Sequence, residues 1–272
     1  MAVESVVVGA IDRGLAYGDG LFETMRAHGG RLPWWPRHRA RLAEGAARLG
    51  IAMPDVARFD AVLADAMSKA HREFGGAAIV KLLLTRGVGA RGYAPDDGIE
   101  PTLIVTVSPL PNGSAASLRV DVLDLRLAVQ PALAGIKHLN RLEQVLGARE
   151  AAARGLEDGL MADAEGSITC STRANLFARI DGRWMTPPVD RAGVAGIARG
   201  LLLDHWQPAG GLRVAPLQIE ELARVEALIL CNAVRGILPV GRIGDRELDA
   251  APNDLATARA ALAASHPAFR ES

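Results

Sequence analysis

One lysine stands where its side-chain amine can do covalent chemistry. Lys137 lies in a glycine-containing loop, residues 134–137, directly before a stretch with strong helical character. A lysine there is poorly placed for a salt bridge along a helix face and well placed to project its amine into a cavity. If that amine is desolvated, its pKa falls and it can condense with a carbonyl group. An exposed loop lysine is the more common situation, so the segment alone leaves both interpretations open.

Three other segments have the chemistry to bind a phosphate. Arg41 falls within a helix predicted to begin after Pro36, and a guanidinium can grip phosphate oxygens bidentately. Residues 193–197 stand where another helix starts, and their glycines let backbone N–H groups approach an anion at the positive helix end. Residues 231–233 follow a predicted strand, a position that suits further donors. Each signal is weak alone, because arginines on helices are mostly solvated and Gly-x-x-Gly is common at ordinary helix caps.

Composition excludes several classes of function. The 272-residue chain has 31 basic and 31 acidic side chains, and this balance gives no electrostatic case for binding nucleic acid or an anionic membrane. Cys170 and Cys231 show no metal-ligand spacing, so neither a disulfide framework nor a metal site is expected. The N-terminus lacks a signal-peptide pattern, and no apolar run reaches about 18 residues. We therefore expect a cytoplasmic protein without a membrane span.

The pattern of elements predicts two α/β domains. A small N-terminal domain covers residues 1–108, the turn-rich and uncharged stretch 109–117 is the best candidate linker, and a larger domain covers residues 118–272. Strands and helices mix without strict βαβ alternation, which disfavours a Rossmann sheet and predicts a mixed α/β (α+β) fold. Strands are predicted at residues 6–8, 21–28, 31–35, 77–85, 102–108, 118–127, 159–163, 168–172, 175–180, 183–186, 212–215 and 227–231. Helices are predicted at residues 36–49, 60–73, 140–154, 194–206, 219–224 and 252–265.

Taken together and in this order, the motifs resemble those of the fold-type IV pyridoxal phosphate enzymes. The similarity covers nearly the whole chain and is closest to the aminodeoxychorismate lyase branch. The string from Lys137 to Val145, Lys-His-Leu-Asn-Arg-Leu-Glu-Gln-Val, is quite specific to that branch. The segments that indicate the superfamily are residues 12–24, 38–42, 85–93, 174–177, 193–197 and 231–233.

The resemblance implies a cofactor, a reaction and an assembly. Lys137 is implied as the lysine that forms a Schiff base with pyridoxal phosphate and as the catalytic base. The implied reaction converts 4-amino-4-deoxychorismate to 4-aminobenzoate and pyruvate, which supplies a folate precursor. Family members are usually homodimers with the site near the interface. The cofactor-binding residues implied are Arg41, Lys137, Cys170, Gly196, Ile197, Asn232 and Ala233.

The implied substrate is a dicarboxylate, so cationic groups are expected close to the lysine. Arg91, in the loop at residues 89–93, is the leading candidate, with Tyr93 beside it. Arg235 follows residues 231–233 and can meet the second carboxylate, and Thr24 can orient the leaving group. Each of these also has an ordinary explanation as a surface arginine or a strand threonine.

One position departs from the family pattern. A glutamate five residues before the Asn-Leu/Ile-Phe motif usually pairs with the protonated ring nitrogen of the cofactor, whereas counting back from Asn175 gives Cys170. A carboxylate there makes the ring a strong electron sink, and a neutral thiol is only a weak donor. A transaminase must stabilise a full carbanion, while the lyase reaction creates an aromatic ring and needs the sink less. Cys170 therefore argues against transamination.

Phe22 argues the same way, because D-amino-acid transaminases of this fold commonly have a tyrosine at that position. It is equally well explained as an apolar strand residue. A D-amino-acid or branched-chain aminotransferase is the nearest alternative, since it shares Lys137 and the phosphate ligands. A non-catalytic protein of the same fold is the alternative from another class.

Overall fold

The computed structural model describes residues 8–111 and 117–270, which divide into two compact units. The first unit contains the chain up to Leu110 together with Ile136–Asn140, and the second contains the remainder. Most of the predicted strand at residues 6–8 and most of the predicted linker lie outside the described residues. The boundary between the units, after Leu110, falls within the predicted linker at residues 109–117, whereas the segment that carries Lys137 groups with the first unit.

The first unit is a three-stranded antiparallel sheet with three helices. Its strands are β1 (Gly20–Ala27), β2 (Ala78–Thr85) and β3 (Thr102–Pro109), in the order β1-β2-β3. Its helices are α1 (Arg13–Tyr17), α2 (Trp35–Leu49) and α3 (Val56–Phe74). Helix α3 begins where the Asp55 side chain accepts from the Arg58 N–H, and α2 ends at Gly50, whose φ of 63° is left-handed.

Alternation along the strands gives this sheet two different faces. Leu21, Met25, Val80 and Leu82 are buried on one face, as are Leu42 of α2 and Phe59 of α3. The residues between them are half-buried or exposed. One face of β1 therefore belongs to a packed core, and the other is available for chemistry.

The second unit is built on a nine-stranded mixed sheet. Its order is β6-β5-β4-β11-β10-β7-β8-β9, and β12 pairs with β11. Parallel pairing joins β4 to β5, β4 to β11 and β8 to β9, and the other pairs are antiparallel. The strands are β4 (Leu118–Leu127), β5 (Asp158–Asp163), β6 (Ile168–Ser171), β7 (Asn175–Ile180), β8 (Arg183–Thr186), β9 (Leu212–Val214), β10 (Ala227–Asn232), β11 (Gly236–Ile243) and β12 (Arg246–Glu247). The helices are α4 (Leu142–Ala153), α5 (Ile197–His205) and α6 (Pro252–Ala263), with short 3-10 helices at Ile219–Arg224 and Pro267–Phe269.

The predicted mixed α/β class is confirmed, and several elements differ from the prediction. Residues 31–35 do not form a strand, because α2 already begins at Trp35 and only a bridge joins His28 to Arg31. Residues 219–224 form a 3-10 helix. The predicted set lacks α1, β11 and β12, although β11 lies in the middle of the large sheet.

Candidate functional site

The lysine-bearing segment runs along the outer edge of β1. The Phe22 N–H donates to the Lys137 carbonyl at 2.9 Å, and the Leu139 N–H donates to the Gly20 carbonyl at 2.9 Å. A Cβ at position 20 would lie 2.7 Å from Leu139 Cδ1, so glycine is what lets the segment approach this closely. These backbone bonds fix where the Lys137 side chain starts, beside the face of β1 that is not part of the core.

The Lys137 amine lies against an aromatic ring. Its Nζ is 4.3 Å from the centre of the Phe22 ring, and the lysine is half-buried rather than fully sequestered. The Nζ of Lys81, an exposed residue of β2, is 5.2 Å from the centre of the same ring. The face of an aromatic ring attracts cations, so the Phe22 ring favours positions close to it for the amines of both Lys137 and Lys81. Lys81 is not among the site residues predicted from the sequence. A lysine inside an otherwise apolar strand is nevertheless a signal that could have singled it out.

Behind Phe22, on the buried face of β1, lies a charged cluster of Glu23, His38 and Arg41. The Arg41 guanidinium donates from Nε to Glu23 Oε1 at 2.9 Å and from Nη2 to Glu23 Oε2 at 2.5 Å. His38 Nδ1 is 2.6 Å from Glu23 Oε2. Because His38 and Arg41 are three residues apart on α2, one face of that helix presents both to the same carboxylate. Glu23 is fully buried, and Arg41 is 10% exposed.

The surroundings of this cluster fix its protonation states. Burial alone would raise the pKa of Glu23, but the charge of Arg41 and the hydrogen bonds from His38 and Arg41 lower it to about 2. Burial lowers the pKa of His38, with further lowering by the charges of Arg41 and Lys137, while Glu23 opposes the shift. The carboxylate is therefore ionised, and since it can only accept, the neutral His38 ring carries its hydrogen on Nδ1.

Arg91 and Tyr93, two of the predicted substrate-binding residues, lie in an exposed loop of the first unit. Arg13 holds this loop by donating to the carbonyls of Gly92 at 2.8 Å and Tyr93 at 2.7 Å. The Tyr93 side chain is 88% exposed, and its ring packs edge-on to that of Tyr17 at 5.6 Å. The loop is thus anchored through its backbone, while the side chains of Arg91 and Tyr93 face outward. Thr24 is half-buried on the same face of β1 as Phe22.

In the second unit, residues 193–196 form a tight loop that leads into α5. Asn175 of β7 donates from Nδ2 to the Val194 carbonyl at 2.9 Å. A Cβ at Gly196 would lie 1.9 Å from Asn175 Oδ1, so the loop can lie this close to β7 only with glycine at this position. Gly196 is the N-cap of α5 and provides no side-chain cap, which leaves the first N–H groups of the helix, including that of Ile197, for another acceptor.

A second turn of interest follows β10. The Asn232 side-chain oxygen accepts from the N–H groups of Val234 at 3.0 Å and Arg235 at 2.8 Å, which shapes the turn around Ala233. Both Ala233 and Arg235 are half-buried. Burial raises the pKa of the preceding Cys231 thiol to about 12, although the charge of Arg199 acts to lower it, so this cysteine remains a neutral thiol.

Cys170 lies on β6 within an apolar cluster. It is 7% exposed, and its cluster includes Leu123, Met161 and Ala192. Among the described residues of the second unit, the buried carboxylates are Asp158 and Asp163. Asp158 accepts from Ser171 Oγ at 2.8 Å, and Asp163 accepts from the N–H groups of its own turn. Local hydrogen bonds thus occupy both carboxylates near this strand.

Each unit, taken by itself, has donors of a kind that a phosphorylated aldehyde needs. Such a group needs an amine for its carbonyl carbon and N–H donors for its phosphate. The first unit has the Lys137 amine and the Arg41 guanidinium, and the second has the uncapped start of α5. Across residues 8–111 and 117–270, no cluster of three His, Cys, Asp or Glu side chains could hold a metal ion. The same residues contain no helix suited to crossing a membrane.

Comparison with known proteins gives consistent matches. Residues 20–243 match the family model for amino-transferase class IV. An aminodeoxychorismate lyase of Vibrio harveyi is 32% identical over 241 residues, which is 87% of either chain. A putative branched-chain-amino-acid aminotransferase of Methanocaldococcus jannaschii is 30% identical over 247 residues, covering 89% of this chain and 84% of that one. The crystal structure of 4-amino-4-deoxychorismate lyase from Pseudomonas aeruginosa superposes with a TM-score of 0.86, at 35% identity and over 96% of each chain.

Proposed function

The chain belongs to the amino-transferase class IV family, and from that membership we propose that it is a pyridoxal phosphate-dependent 4-amino-4-deoxychorismate lyase. The reaction converts 4-amino-4-deoxychorismate to 4-aminobenzoate and pyruvate. The observation that carries the proposal is the Lys137 amine, held 4.3 Å from the Phe22 ring in a chain similar to two lyases at 32% and 35% identity.

Lys137 is the proposed acid–base residue. Pyridoxal phosphate supplies an aldehyde that condenses with amines and a ring that withdraws electrons. With the cofactor bound, Lys137 would remove the proton from the amine-bearing ring carbon of the substrate. The bond between the neighbouring ring carbon and the enolpyruvyl oxygen breaks, and Lys137 returns a proton to the methylene carbon, which gives pyruvate. The backbone bond of Lys137 to β1 fixes the main chain from which the amine extends in both transfers.

The cofactor phosphate is assigned to donors from three segments. Arg41 contributes a guanidinium, and the start of α5 contributes the backbone of Gly196 and Ile197. The turn shaped by Asn232 contributes the N–H of Ala233. The Asn175 bond to the Val194 carbonyl supports this assignment, since it ties the loop before α5 to β7.

The substrate carboxylates are assigned to polar side chains of the exposed loop, of the turn after β10 and of the open β1–β2 face. Arg91 and Tyr93 stay candidates for one carboxylate, and Arg235 for the other. Lys81 joins them, because its amine shares the Phe22 ring with Lys137. Thr24, which is in register with Lys81 across the sheet, is the residue we propose to contact the enolpyruvyl group.

Cys170 favours the lyase over an aminotransferase. Its apolar surroundings and the occupied carboxylates of Asp158 and Asp163 support a cofactor ring with weak assistance at its nitrogen. Such a ring is a poor electron sink, which penalises transamination more than a reaction driven by aromatisation. Phe22, which offers an apolar wall where D-amino-acid transaminases commonly have a tyrosine, fits the same choice.

We also infer a cytoplasmic homodimer that supplies a folate precursor. Leu142, Val145 and Leu146 follow one face of helix α4 and are 75%, 59% and 47% exposed. An exposed apolar helix face of this kind commonly serves as a protein–protein interface. Light scattering of the purified protein at micromolar concentration tests the dimer, and a monomer there would contradict it.

A product assay tests the function. The protein is loaded with pyridoxal phosphate and given 4-amino-4-deoxychorismate without any keto acid. The lyase predicts 4-aminobenzoate and pyruvate in equal amounts over many turnovers. Accumulation of pyridoxamine phosphate, or turnover only with an amino-acid and keto-acid pair, would indicate an aminotransferase. Lys137→Ala should abolish turnover and the borohydride-reducible imine, and an absence of both in the unaltered protein would indicate a non-catalytic protein.

A further inference from the structure

Glu23 is a buried carboxylate for which the proposed reaction has no use. It lies on the core face of β1, between Leu21 and Met25, where an apolar side chain is expected. Its two oxygens accept from Arg41 at 2.9 and 2.5 Å and from His38 at 2.6 Å. Replacing a buried ion pair by well-packed apolar residues is often neutral or stabilising, so stability alone is a weak reason for this cluster.

The geometry of the cluster constrains one particular group. A guanidinium that donates through Nε and Nη2 to the two oxygens of one carboxylate is fixed in its plane and cannot rotate. The carboxylate is itself held by the backbone of β1 and by the His38 ring, and His38 is only 1% exposed. An unrestrained arginine would lose rotamer freedom on binding an anion, whereas Arg41 has already lost it.

We propose that Glu23 is a positioning residue for the cofactor phosphate: braced by His38, its carboxylate holds the Arg41 guanidinium in the orientation from which it binds the phosphate. The inference rests on the proposed function in so far as Arg41 is a phosphate ligand. A pKa of about 2 for Glu23 keeps the carboxylate ionised at any working pH, and the neutral His38 supplies its Nδ1 hydrogen.

The test compares two aldehydes that differ only in the phosphate. Pyridoxal phosphate and pyridoxal both form an imine with Lys137, and absorbance titration of the cofactor-free protein gives a dissociation constant for each. Glu23→Gln should raise the constant for pyridoxal phosphate by roughly tenfold to a hundredfold, and that for pyridoxal by less than about twofold. Equal weakening of both, or weakening of neither, would overturn the positioning role.

A matched control comes from the same unit. Glu100 forms an ion pair with Arg58, and its side chain is 81% exposed. Glu100→Gln makes the same chemical change far from any proposed phosphate ligand, so both dissociation constants should stay as in the unaltered protein. If Glu100→Gln changed the dissociation constant of pyridoxal phosphate but not that of pyridoxal, the measurement would be responding to net charge. The positioning role of Glu23 would then be contradicted.

A second pair of variants covers the case in which Glu23→Gln does not fold. The amide nitrogen of asparagine can occupy the place of histidine Nδ1, so His38→Asn keeps a donor to Glu23 while His38→Leu removes it. His38→Asn should preserve the preference for pyridoxal phosphate over pyridoxal, and His38→Leu should reduce it severalfold. An equal preference in the two variants would contradict the proposal.

Failure of this inference is distinguishable from failure of the proposed function. If the unaltered protein binds pyridoxal phosphate but forms no 4-aminobenzoate, the lyase assignment is wrong, and a phosphate-specific loss in Glu23→Gln still upholds the positioning role. If 4-aminobenzoate is formed while both Glu23→Gln and His38→Leu keep the full phosphate preference, the lyase assignment stands and the positioning role is wrong.

Discussion

At the scale of single residues, Cys170 stands where the resemblance implies a glutamate. It lies among Leu123, Met161 and Ala192, where a carboxylate would be costly to ionise. If aromatisation drives the reaction, restoring the carboxylate changes little. We expect Cys170→Glu to leave the lyase turnover number within about tenfold, roughly 1.4 kcal/mol of barrier.

Steady-state production of 4-aminobenzoate measures this effect, with Cys170→Ser as the control because it changes the side chain without adding charge. A gain much larger than tenfold in the glutamate variant alone would mean that protonation of the ring nitrogen limits the unaltered enzyme. Cys170 would then no longer count against transamination.

Lys81 gives a second prediction at this scale. Its amine is 5.2 Å from the Phe22 ring, and it is exposed on the open face of β2. A cation that binds a substrate carboxylate equally in the ground and transition states affects KM and leaves kcat unchanged. Lys81→Met should therefore raise KM for 4-amino-4-deoxychorismate by about tenfold, the worth of one charge-assisted contact, with kcat nearly constant.

Initial-rate kinetics separate the two constants. Lys69→Met is the control, because Lys69 pairs with Glu73 on α3 and lies outside the proposed site. A fall in kcat with an unchanged KM in Lys81→Met would contradict a binding role and point to Lys81 as part of the chemistry.

Lys137 and Arg41, both proposed site residues, could be singled out from the sequence because they occur in local motifs. Glu23 could not be predicted in its role, since its partners His38 and Arg41 come from another element and meet it only when α2 packs on β1. The available signal was a charge on the apolar side of an alternating strand, between Leu21 and Met25.

At the scale of elements, strands with regular alternation were predicted closely, and interrupted ones were not. β4 occupies residues 118–127 as expected. β11 contains Pro239 and Gly241, residues that normally weaken a strand, so local propensity argues against it. Its neighbours β4 and β10 nevertheless pair with it on both sides. This is tertiary context overriding local preference, and a single sequence does not reveal it.

The loop before α5 provides a prediction about an element. Gly196 has φ −66° and ψ 141°, which alanine adopts without strain, so its requirement for glycine comes from Asn175 Oδ1, which would lie 1.9 Å from an added Cβ. Gly196→Ala should destabilise the protein by about 1–3 kcal/mol through this overlap and weaken cofactor retention. Thermal unfolding of the cofactor-free protein measures the first effect, and dialysis of the loaded protein measures the second.

A double variant isolates the cause. In the Asn175→Ala background the clashing oxygen is absent, so adding Gly196→Ala should cost much less than it does alone. Equal costs in the two backgrounds would show that Asn175 is not the reason for the glycine.

At the scale of the whole molecule, the chain passes from the second unit into the first at the segment that carries Lys137, the proposed Schiff-base residue. Residues 136–140 leave the second unit and pair with the edge of β1, while residues on either side remain in the second unit. Lys137 lies in a loop as predicted, but this loop groups with the first unit and not with the larger one. Pairing between segments so distant in the sequence has no local signature.

The response of the molecule to acid follows from the Glu23 cluster. The folded-state pKa of Glu23 is about 2 against an ordinary value of 4.5, so the unfolded chain binds the proton more readily. The stabilisation is fully present above pH 4.5 and is lost as the pH falls toward 2, a change of about 3 kcal/mol. Protonation of His38 also destabilises the fold, but at higher pH. Its pKa is lowered in the folded state, so below about 6.5 the unfolded chain binds the proton more readily.

Acid therefore destabilises the fold over two pH ranges, and Glu23 contributes to the lower one. Melting temperatures of the cofactor-free protein and of Glu23→Gln, measured from pH 7 to pH 2.5, test this. The variant should be less stable at neutral pH, because it leaves Arg41 without its carboxylate, and its melting temperature should fall less between pH 4.5 and 2.5. Parallel curves for the two proteins in that range would mean that another group carries the acid sensitivity. The same variant thus tests one carboxylate twice, through cofactor affinity and through the proton linkage of folding.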